Sequence, residues 1–401
     1  MYIDYFDKFY NMEPYLEIED KDWEYIKETF DKQDVKESLA TVAMTYPLPY
    51  PDLTEKRAFK DFQKLKGMKW NEIMVEGEWY AREGTEYTYN LNHDDKQLYF
   101  RRLNAGNESS NYFQIENRWS VDGSVSPGPK RTWENHKFMT TLMGSAYSLK
   151  MPKITKNILR TMIGLRKYIC SQFKPNVAKI IYDMFESENI LDFSMGWGDR
   201  LAGFHSSNAK SYTGIDPNQE VFDNYPKQNE LYKTGKSTEF IKAPAEDVDL
   251  GNRKFDMIFT SPPYFHLEKY SADENQSWKR YGKSIDLWLE KFLFATLNKC
   301  WDSLKDGGTM IINIADVYSG DNKYEKICDP MNDFISKLPD ANYSGCIGLK
   351  LSKRPQSNND NEESKHKKII EPMWVWKKGD SRTLDQIIDD SSPLNKFFVG
   401  M

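Results

Sequence analysis

The sequence predicts an α/β fold: a mostly parallel, doubly wound sheet, preceded by an N-terminal α+β part. Three observations predict it. Short, near-continuous apolar segments recur through the second half of the chain, helical stretches separate most of them, and turn residues bound them. Apolar strands of this kind imply a sheet covered on both faces, and the alternation of β and α elements implies parallel connections.

Taken in order, the first 40 residues read as an acidic helical start. The stretches "EYTYNLN", "KQLYFRRLN" and "NYFQIENRWSVDG" alternate as strands do between Asn, Asp and Gly clusters. "YPLPYPD" and "SPGPKR" are loops by composition. Helical periodicity returns over residues 154–185. Strands are then expected over 189–193, 211–215, 238–243, 255–260 and 309–315, with a long helix over 285–304. Two more strands, over 344–351 and 372–378, flank a hydrophilic insert poor in apolar residues, which predicts a flexible loop over 354–368. The expected organisation is an accessory or target-recognition domain over 1–145, a main domain over 146–378 and a tail over 379–401.

A chain of 401 residues holds two or three domains with a full-sized core. With 29% charged, 39% hydrophobic and 14% aromatic residues it reads as soluble and globular. It lacks a run of 18 apolar residues, and "MYIDYFDKFY" lacks the basic start and apolar centre of a signal peptide. A cytoplasmic location away from membranes is therefore expected. Four scattered cysteines without a CxxC argue against a disulfide framework or zinc, and five histidines without ligand spacing argue against a metal centre. The net charge of −6 is uneven. Residues 1–40 carry 12 acids against five lysines, whereas residues 150–180 carry eight Lys or Arg and no acid. Local clusters of this kind, more than the total, decide phosphate contacts.

The strand over 189–193 runs into "DFSMGWGDR", making Asp192, Ser194, Gly196 and Gly198 the candidate cofactor turn. Glycine there permits a tight turn and close approach of a ligand to the backbone. It is not the dinucleotide fingerprint, because Leu201 stands where GxGxxG needs glycine. The next strand ends at Asp216, about 20 residues on, where a carboxylate can accept from both hydroxyls of a ribose. The third is followed by "APAEDVDL", where Glu246 or Asp247 can take the exocyclic amine of an adenine. The fourth ends in "TSPPYF". Two prolines remove two donors and fix two φ angles, so this segment is rigid.

At these residues the chain resembles the SAM-dependent amino-methyltransferases of DNA, which methylate N4 of cytosine or N6 of adenine. Their [D/N/S]-P-P-[Y/F/W] signature is matched by Ser261, Pro262, Pro263 and Tyr264. Their FxGxG turn is matched by Gly196 and Gly198, with Ser194 in place of the usual Phe. "FKPNVAKIIYDMF", with Lys174 and Pro175, is similar to the segment that helps hold the methionine end of SAM, and "EPMWVWKK" is similar to their closing strand. The resemblance covers residues 173–378 and leaves the first 145 outside. It implies a Rossmann-like class I methyltransferase fold with a reversed closing strand, S-adenosyl-L-methionine as cofactor, and DNA as partner, either a duplex with a flipped base or a single strand. It implies site-specific DNA methylation, as in restriction-modification, with N4 of cytosine favoured over N6 of adenine.

The chemistry accounts for the residue types. An exocyclic amine is a poor nucleophile because its lone pair is delocalised into the ring. By resemblance, the Ser261 side chain and the Pro262 carbonyl accept its hydrogens, and the prolines preorganise that carbonyl. Tyr264 would stack on the base. Methylation at cytosine C5 needs a cysteine after a proline, and none stands there. Candidate nucleic-acid contacts are Phe265, Lys153, Lys156, Arg160 and Arg131. Two alternatives remain open: an RNA amino-methyltransferase, and a catalytically silent SAM-fold subunit that binds DNA.

Overall fold

The computed structural model describes residues 1–91, 97–123, 126–320, 323–351 and 369–390. The expected loop over 354–368 and the end of the expected tail lie outside the described residues. The chain divides into two compact units. One comprises Met1–Asp52, Ile115–Ser171 and Glu268–Ser271, and the other comprises Leu53–Gln114, Gln172–Leu267 and Ala272–Met401. The division therefore does not follow a single cut near residue 145.

The second unit carries a nine-stranded sheet. Its strands in chain order are β1 (Met74–Glu76), β2 (Leu98–Phe100), β3 (Asn189–Asp192), β4 (Ser211–Ile215), β5 (Ser237–Ile241), β6 (Phe255–Thr260), β7 (Leu304–Asn313), β8 (Ala341–Lys350) and β9 (Ile370–Lys378). Across the sheet they run β1-β2-β8-β9-β7-β6-β3-β4-β5. The β7-β6-β3-β4-β5 stretch is parallel throughout. β9 runs antiparallel to both β7 and β8 and is the reversed closing strand. This is a mostly parallel, Rossmann-like doubly wound sheet, its parallel part as the apolar rhythm predicts and its reversed strand as the resemblance implies.

Both faces are covered. Ile258 on β6 belongs to a buried cluster with Leu293, Leu297 and Trp301 from the long helical run that precedes β7. The next residue, Phe259, points to the other face and meets Tyr182 edge-on at 5.8 Å, from the helix Pro175–Met184. That helix packs on the helix Asp199–Ser206 so tightly that a Cβ on Gly203 would lie 2.5 Å from the Ala178 methyl.

Two N-terminal segments differ from expectation. "EYTYNLN" forms no strand; its alternation is real, but its partners are side chains. Tyr87, Tyr89 and Leu91 face the apolar cluster, while Thr88 bonds Asp329 through its N–H at 2.9 Å and its hydroxyl at 3.0 Å. "NYFQIENRWSVDG" is mostly the helix Asn107–Ser120. Three of its buried positions, Ser110, Gln114 and Arg118, follow i, i+4 spacing, and all three are polar, although Trp119 beside them is buried too. They bond Asp199 Oδ1 (2.5 Å), the Val221 carbonyl (3.1 Å) and the Cys170 carbonyl (2.7 Å), so an apolar period does not reveal the helix. β1 and β2 in turn extend the main sheet, β2 pairing in parallel with β8. That pairing covers an edge otherwise left with unpaired backbone groups.

The first unit is mostly helical, and its described strands form a two-residue ladder, Asp122–Gly123 against Glu268–Lys269; with β1 and β2, the N-terminal segment mixes helices and strands as expected. Asp31 caps the helix Lys32–Ala43 by accepting from the N–H groups of Gln33 (2.8 Å) and Asp34 (3.2 Å). Its core includes Phe6, Trp23, Ile26, Leu39, Leu142, Leu159 and Met162. The Trp23 indole donates to the Met151 carbonyl at 3.0 Å.

Candidate functional site

The site is built at the C-terminal ends of β3 to β6, where the parallel strands leave the sheet. After β3 the chain turns through Gly196 (φ +57°) and Gly198 (φ +71°) into the helix Asp199–Ser206. The two glycines serve different ends. A Cβ on Gly198 would fall 2.2 Å from Gln228 Oε1, so that position is held by packing. A Cβ on Gly196 would meet nothing closer than the Ser194 carbonyl at 3.9 Å, so Gly196 opens onto space. A ligand can approach its backbone there.

Asp192, expected at the cofactor, has both its oxygens engaged by the protein itself. Oδ1 accepts from Arg200 Nη2 (3.1 Å), the Thr260 hydroxyl (2.8 Å) and the Ser194 N–H (3.3 Å). Oδ2 accepts from Arg200 Nε (2.8 Å) and the Tyr212 hydroxyl (2.6 Å). The carboxylate is fully buried, and its work is to fix the turn. Ser194 contributes its carbonyl to the same Arg200. The preceding residue, Phe193, is buried.

At the end of β4, Asp216 is buried with its oxygens aimed at the glycine turn. Oδ2 accepts the Gly196 N–H at 2.8 Å, and Oδ1 accepts the Asn218 N–H at 2.9 Å. Each oxygen retains acceptor capacity for a hydroxyl. Burial pushes its carboxyl up to about 6, against the pull of these two N–H groups. Beyond β5, Glu246 and Asp247 part company. Glu246 is buried, and its Oε1 accepts from Arg280 Nη1 and the Tyr281 hydroxyl, both at 2.7 Å. Burial raises its carboxyl above the usual range, with Tyr281 and Arg280 offsetting part of the rise. Asp247 is exposed and pairs with Arg280 at 2.8 Å.

The β6 strand ends at Thr260, whose hydroxyl bonds Asp192, so the segment Ser261–Tyr264 leaves the sheet directly beside the glycine turn. Tyr264 donates its hydroxyl to Glu371 Oε1 at 2.5 Å. Phe265, expected at the nucleic acid, is instead 2% exposed. The Phe265 and Leu267 N–H groups bond the Pro263 and Tyr264 carbonyls at 3.0 and 2.9 Å. This turn sends the Phe265 ring inward against Trp288, with centroids 5.9 Å apart.

Lys174 and Pro175 open the helix Pro175–Met184. Lys174 is buried and donates to Asn104 Oδ1 at 3.0 Å. The preceding Gln172 reaches Asp199 Oδ1 at 2.8 Å, and the Arg200 guanidinium lies 5.2 Å from the Phe173 ring centre, so this segment meets the glycine-turn helix.

The basic candidates belong to the first unit, where each meets an acid or carbonyl of that unit. Lys153 pairs with Glu19 at 3.1 Å, Lys156 with Asp52, and Arg131 with Asp122 at 3.1 Å. Arg160 donates to the Tyr50 carbonyl at 3.2 Å and lies 3.8 Å from Asp52. The acidic N-terminal segment thus supplies part of their counter-charge, in surface pairs worth little each.

Sequence reasoning missed Arg200, Thr260 and Tyr212 around Asp192, the Arg280–Tyr281 pair on Glu246, and Glu371. Arg200 lies inside the quoted glycine stretch, one turn into its helix, and a buried strand-end carboxylate needs such a partner. The others come from distant elements and leave no local signal. Among the described residues, no group of three or more His, Cys, Asp or Glu is arranged to hold a metal ion. No described helix is long and apolar enough to cross a membrane.

No protein-family model matches the chain, and no curated relative does either. Solved structures overlap it in part. TrmN from Thermus thermophilus aligns over 51% of this chain and 48% of its own, at 11% identity and a TM-score of 0.33. An rRNA methylase from Streptococcus thermophilus aligns over 52% of this chain and 98% of its own, at 13% identity and a TM-score of 0.31. A class I S-adenosylmethionine-dependent methyltransferase, described as putative, from Listeria monocytogenes aligns over 51% of this chain and 58% of its own, at 16% identity and a TM-score of 0.34. The chain spans about half the length of the first of these. Overlaps this partial leave the assignment of cofactor and substrate to the residues themselves.

Proposed function

We propose that the protein transfers a methyl group from S-adenosyl-L-methionine to the exocyclic amino group of a nucleic-acid base, DNA being the substrate and N4 of cytosine favoured over N6 of adenine. One observation carries the reading. The hydrogen bond from Thr260 to Asp192 ties the strand end that leads into Ser261–Tyr264 to the strand end that leads into Gly196. The loop suited to an amine and the turn suited to a cofactor therefore leave adjacent strands side by side.

The residues present fit this cofactor. Gly196 opens onto space, Asp216 offers a buried carboxylate for ribose hydroxyls, and Glu246 offers one for the adenine amine. Bound there, the cofactor supplies an electrophilic methyl on a sulfonium. The chain's own part is to prepare the amine. Ser261 and the Pro262 carbonyl accept its hydrogens and draw the nitrogen lone pair out of the ring. The base would stack on Tyr264, and the amine nitrogen would bond the methyl carbon in line as the sulfonium C–S bond breaks, the electron pair leaving with the thioether and the amine's surplus proton passing to solvent, without a covalent enzyme intermediate. Lys174 and Pro175 are assigned to the methionine end, and Lys153, Lys156, Arg160 and Arg131 to phosphates, which displace their weak surface acid partners.

The test is to incubate the protein with labelled SAM and duplex DNA, single-stranded DNA or RNA, then digest and identify the labelled nucleoside. Label in N4-methylcytosine supports the reading. Label confined to RNA replaces DNA with RNA as substrate, and bound SAM without label on any nucleic acid overturns the transfer.

A further inference from the structure

Tyr264 and Glu371 lie 107 residues apart and meet at 2.5 Å, the phenol donating to the carboxylate. Neither residue is buried: both are of intermediate exposure. What distinguishes the contact is the firmness of both ends.

Glu371 stands near the start of β9, just before the residues that pair with β7. Its neighbours on either side are fixed. The Ile370 N–H donates to the Tyr80 carbonyl at 3.0 Å, and the Pro372 carbonyl accepts from Asn313 Nδ2 at 3.1 Å. Two residues beyond Pro372, the fully buried Trp374 donates its indole N–H to the Ile314 carbonyl at 3.1 Å. At the other end, Tyr264 follows Pro263 and precedes the buried Phe265, and its own carbonyl accepts the Leu267 N–H at 2.9 Å. A phenol hydrogen lies in the plane of its ring. An acceptor fixed at one place therefore restrains both where the ring points and how its plane is turned. Hydrogen bonds to an ionised acceptor are the stronger kind.

We propose that Glu371 is a positioning residue that holds the Tyr264 ring as the face on which a planar nucleic-acid base stacks. This rests on the reading of Ser261–Tyr264 as a target-base pocket, and it adds to that reading the group that sets the plane of the pocket. Stacking on an aromatic side chain depends on the ring presenting its face, and a ring free to turn about its Cβ–Oη axis loses that face for part of the time.

The experiment uses the full chain and a single-stranded oligonucleotide carrying 2-aminopurine, whose fluorescence is quenched on stacking and needs no turnover. The wild type is expected to quench it, and Tyr264→Ala is expected not to. Glu371→Ala should weaken this base-dependent binding about tenfold, with SAM affinity and thermal midpoint unchanged. Glu371→Gln, whose amide oxygen still accepts from the phenol, should recover most of the loss. Unchanged quenching in Glu371→Ala overturns the inference, as does absence of quenching in the wild type. Equal loss of SAM affinity in the Ala and Gln variants overturns it too, because the strand end would then serve the fold alone. Quenching that depends on Glu371 without methyl transfer supports the inference and overturns the proposed reaction.

Discussion

Arg200 and Asp192 form a buried ion pair, Nε to Oδ2 at 2.8 Å and Nη2 to Oδ1 at 3.1 Å, with the guanidinium 4% and the carboxylate 0% exposed. Burial lowers the guanidinium's hold on its proton, but Asp192 raises it further, and the net shift is upward. Removing one partner leaves an uncompensated buried charge. Arg200→Ala is expected to lower stability by about 3–5 kcal/mol, whereas Arg200→Met with Asp192→Leu should cost less than either single change. Denaturant midpoints of the wild type, Arg200→Ala, Asp192→Leu and the double variant check this. A single variant within about 0.5 kcal/mol of wild type would refute the hub described for Asp192.

Asp216 predicts a pH dependence with a definite sign. Burial raises its carboxyl from 3.8 to about 6, so the folded protein binds this proton more tightly than the unfolded chain does. Its contribution to stability is greatest below about pH 4 and declines as pH rises toward 6, by about 3 kcal/mol in all. Asp216→Asn should remove that part of the profile. Ribose hydroxyls bind the ionised form, so SAM affinity should rise about tenfold from pH 5 to pH 7 in the wild type. Calorimetry at the two pH values reads this directly, and a flat wild-type profile speaks against Asp216 as the ribose acceptor.

The two acids after β5 are separable in the same way. Glu246 is buried and held by Arg280 and Tyr281, whereas Asp247 is exposed with its ion pair at the surface. Glu246→Ala should reduce SAM affinity at least tenfold, and Asp247→Ala should change it by less than about threefold. Arg280→Ala should fall between them, because it releases Glu246 without removing it. If Asp247→Ala has the larger effect, the assignment is reversed.

Much of the sheet was legible because its central strands are largely buried and rich in apolar residues, whereas the edge strand β5 is not. "FDMIFT" is β6 itself, and "SYTGI" is β4. The order of site segments followed from the order of strands. What stayed hidden was held by polar contacts between distant residues. The helix Asn107–Ser120 buries Ser110 and Gln114 and showed no apolar period. Phe265 was misread because composition records an aromatic after a Pro-Pro pair but not the turn that sends its ring inward. The link from Tyr264 to Glu371 crosses 107 residues and leaves no trace in either segment alone.

The two glycines of the turn give opposite substitutions. Gly196→Ala places a methyl in open space at φ +57°, so it should cost only about 1–2 kcal/mol of stability while blocking the approach of a ligand. Gly198→Ala drives a methyl to within 2.2 Å of Gln228 and should destabilise the fold more. Thermal midpoints and SAM titrations, measured together, should show binding lost first at Gly196 and stability lost first at Gly198. The reverse ranking would remove Gly196 from the cofactor side of the turn.

Ser261 and Pro262 test the chemistry apart from cofactor binding. Thr260 is tied to Asp192, and among the described residues no hydrogen bond joins the Ser261 side chain to the glycine turn, so changes at 261 and 262 should leave the turn intact. Ser261→Ala removes one acceptor for the amine, and Pro262→Ala loosens the carbonyl that forms the other. Together they should lower turnover by about 10²–10³-fold, the usual effect of losing a preorganised polar group at a reacting centre. SAM affinity should stay within about threefold of wild type. Single-turnover transfer alongside SAM titration separates the two effects. A parallel fall in both would mean that this segment shapes the cofactor site and that the amine is activated elsewhere.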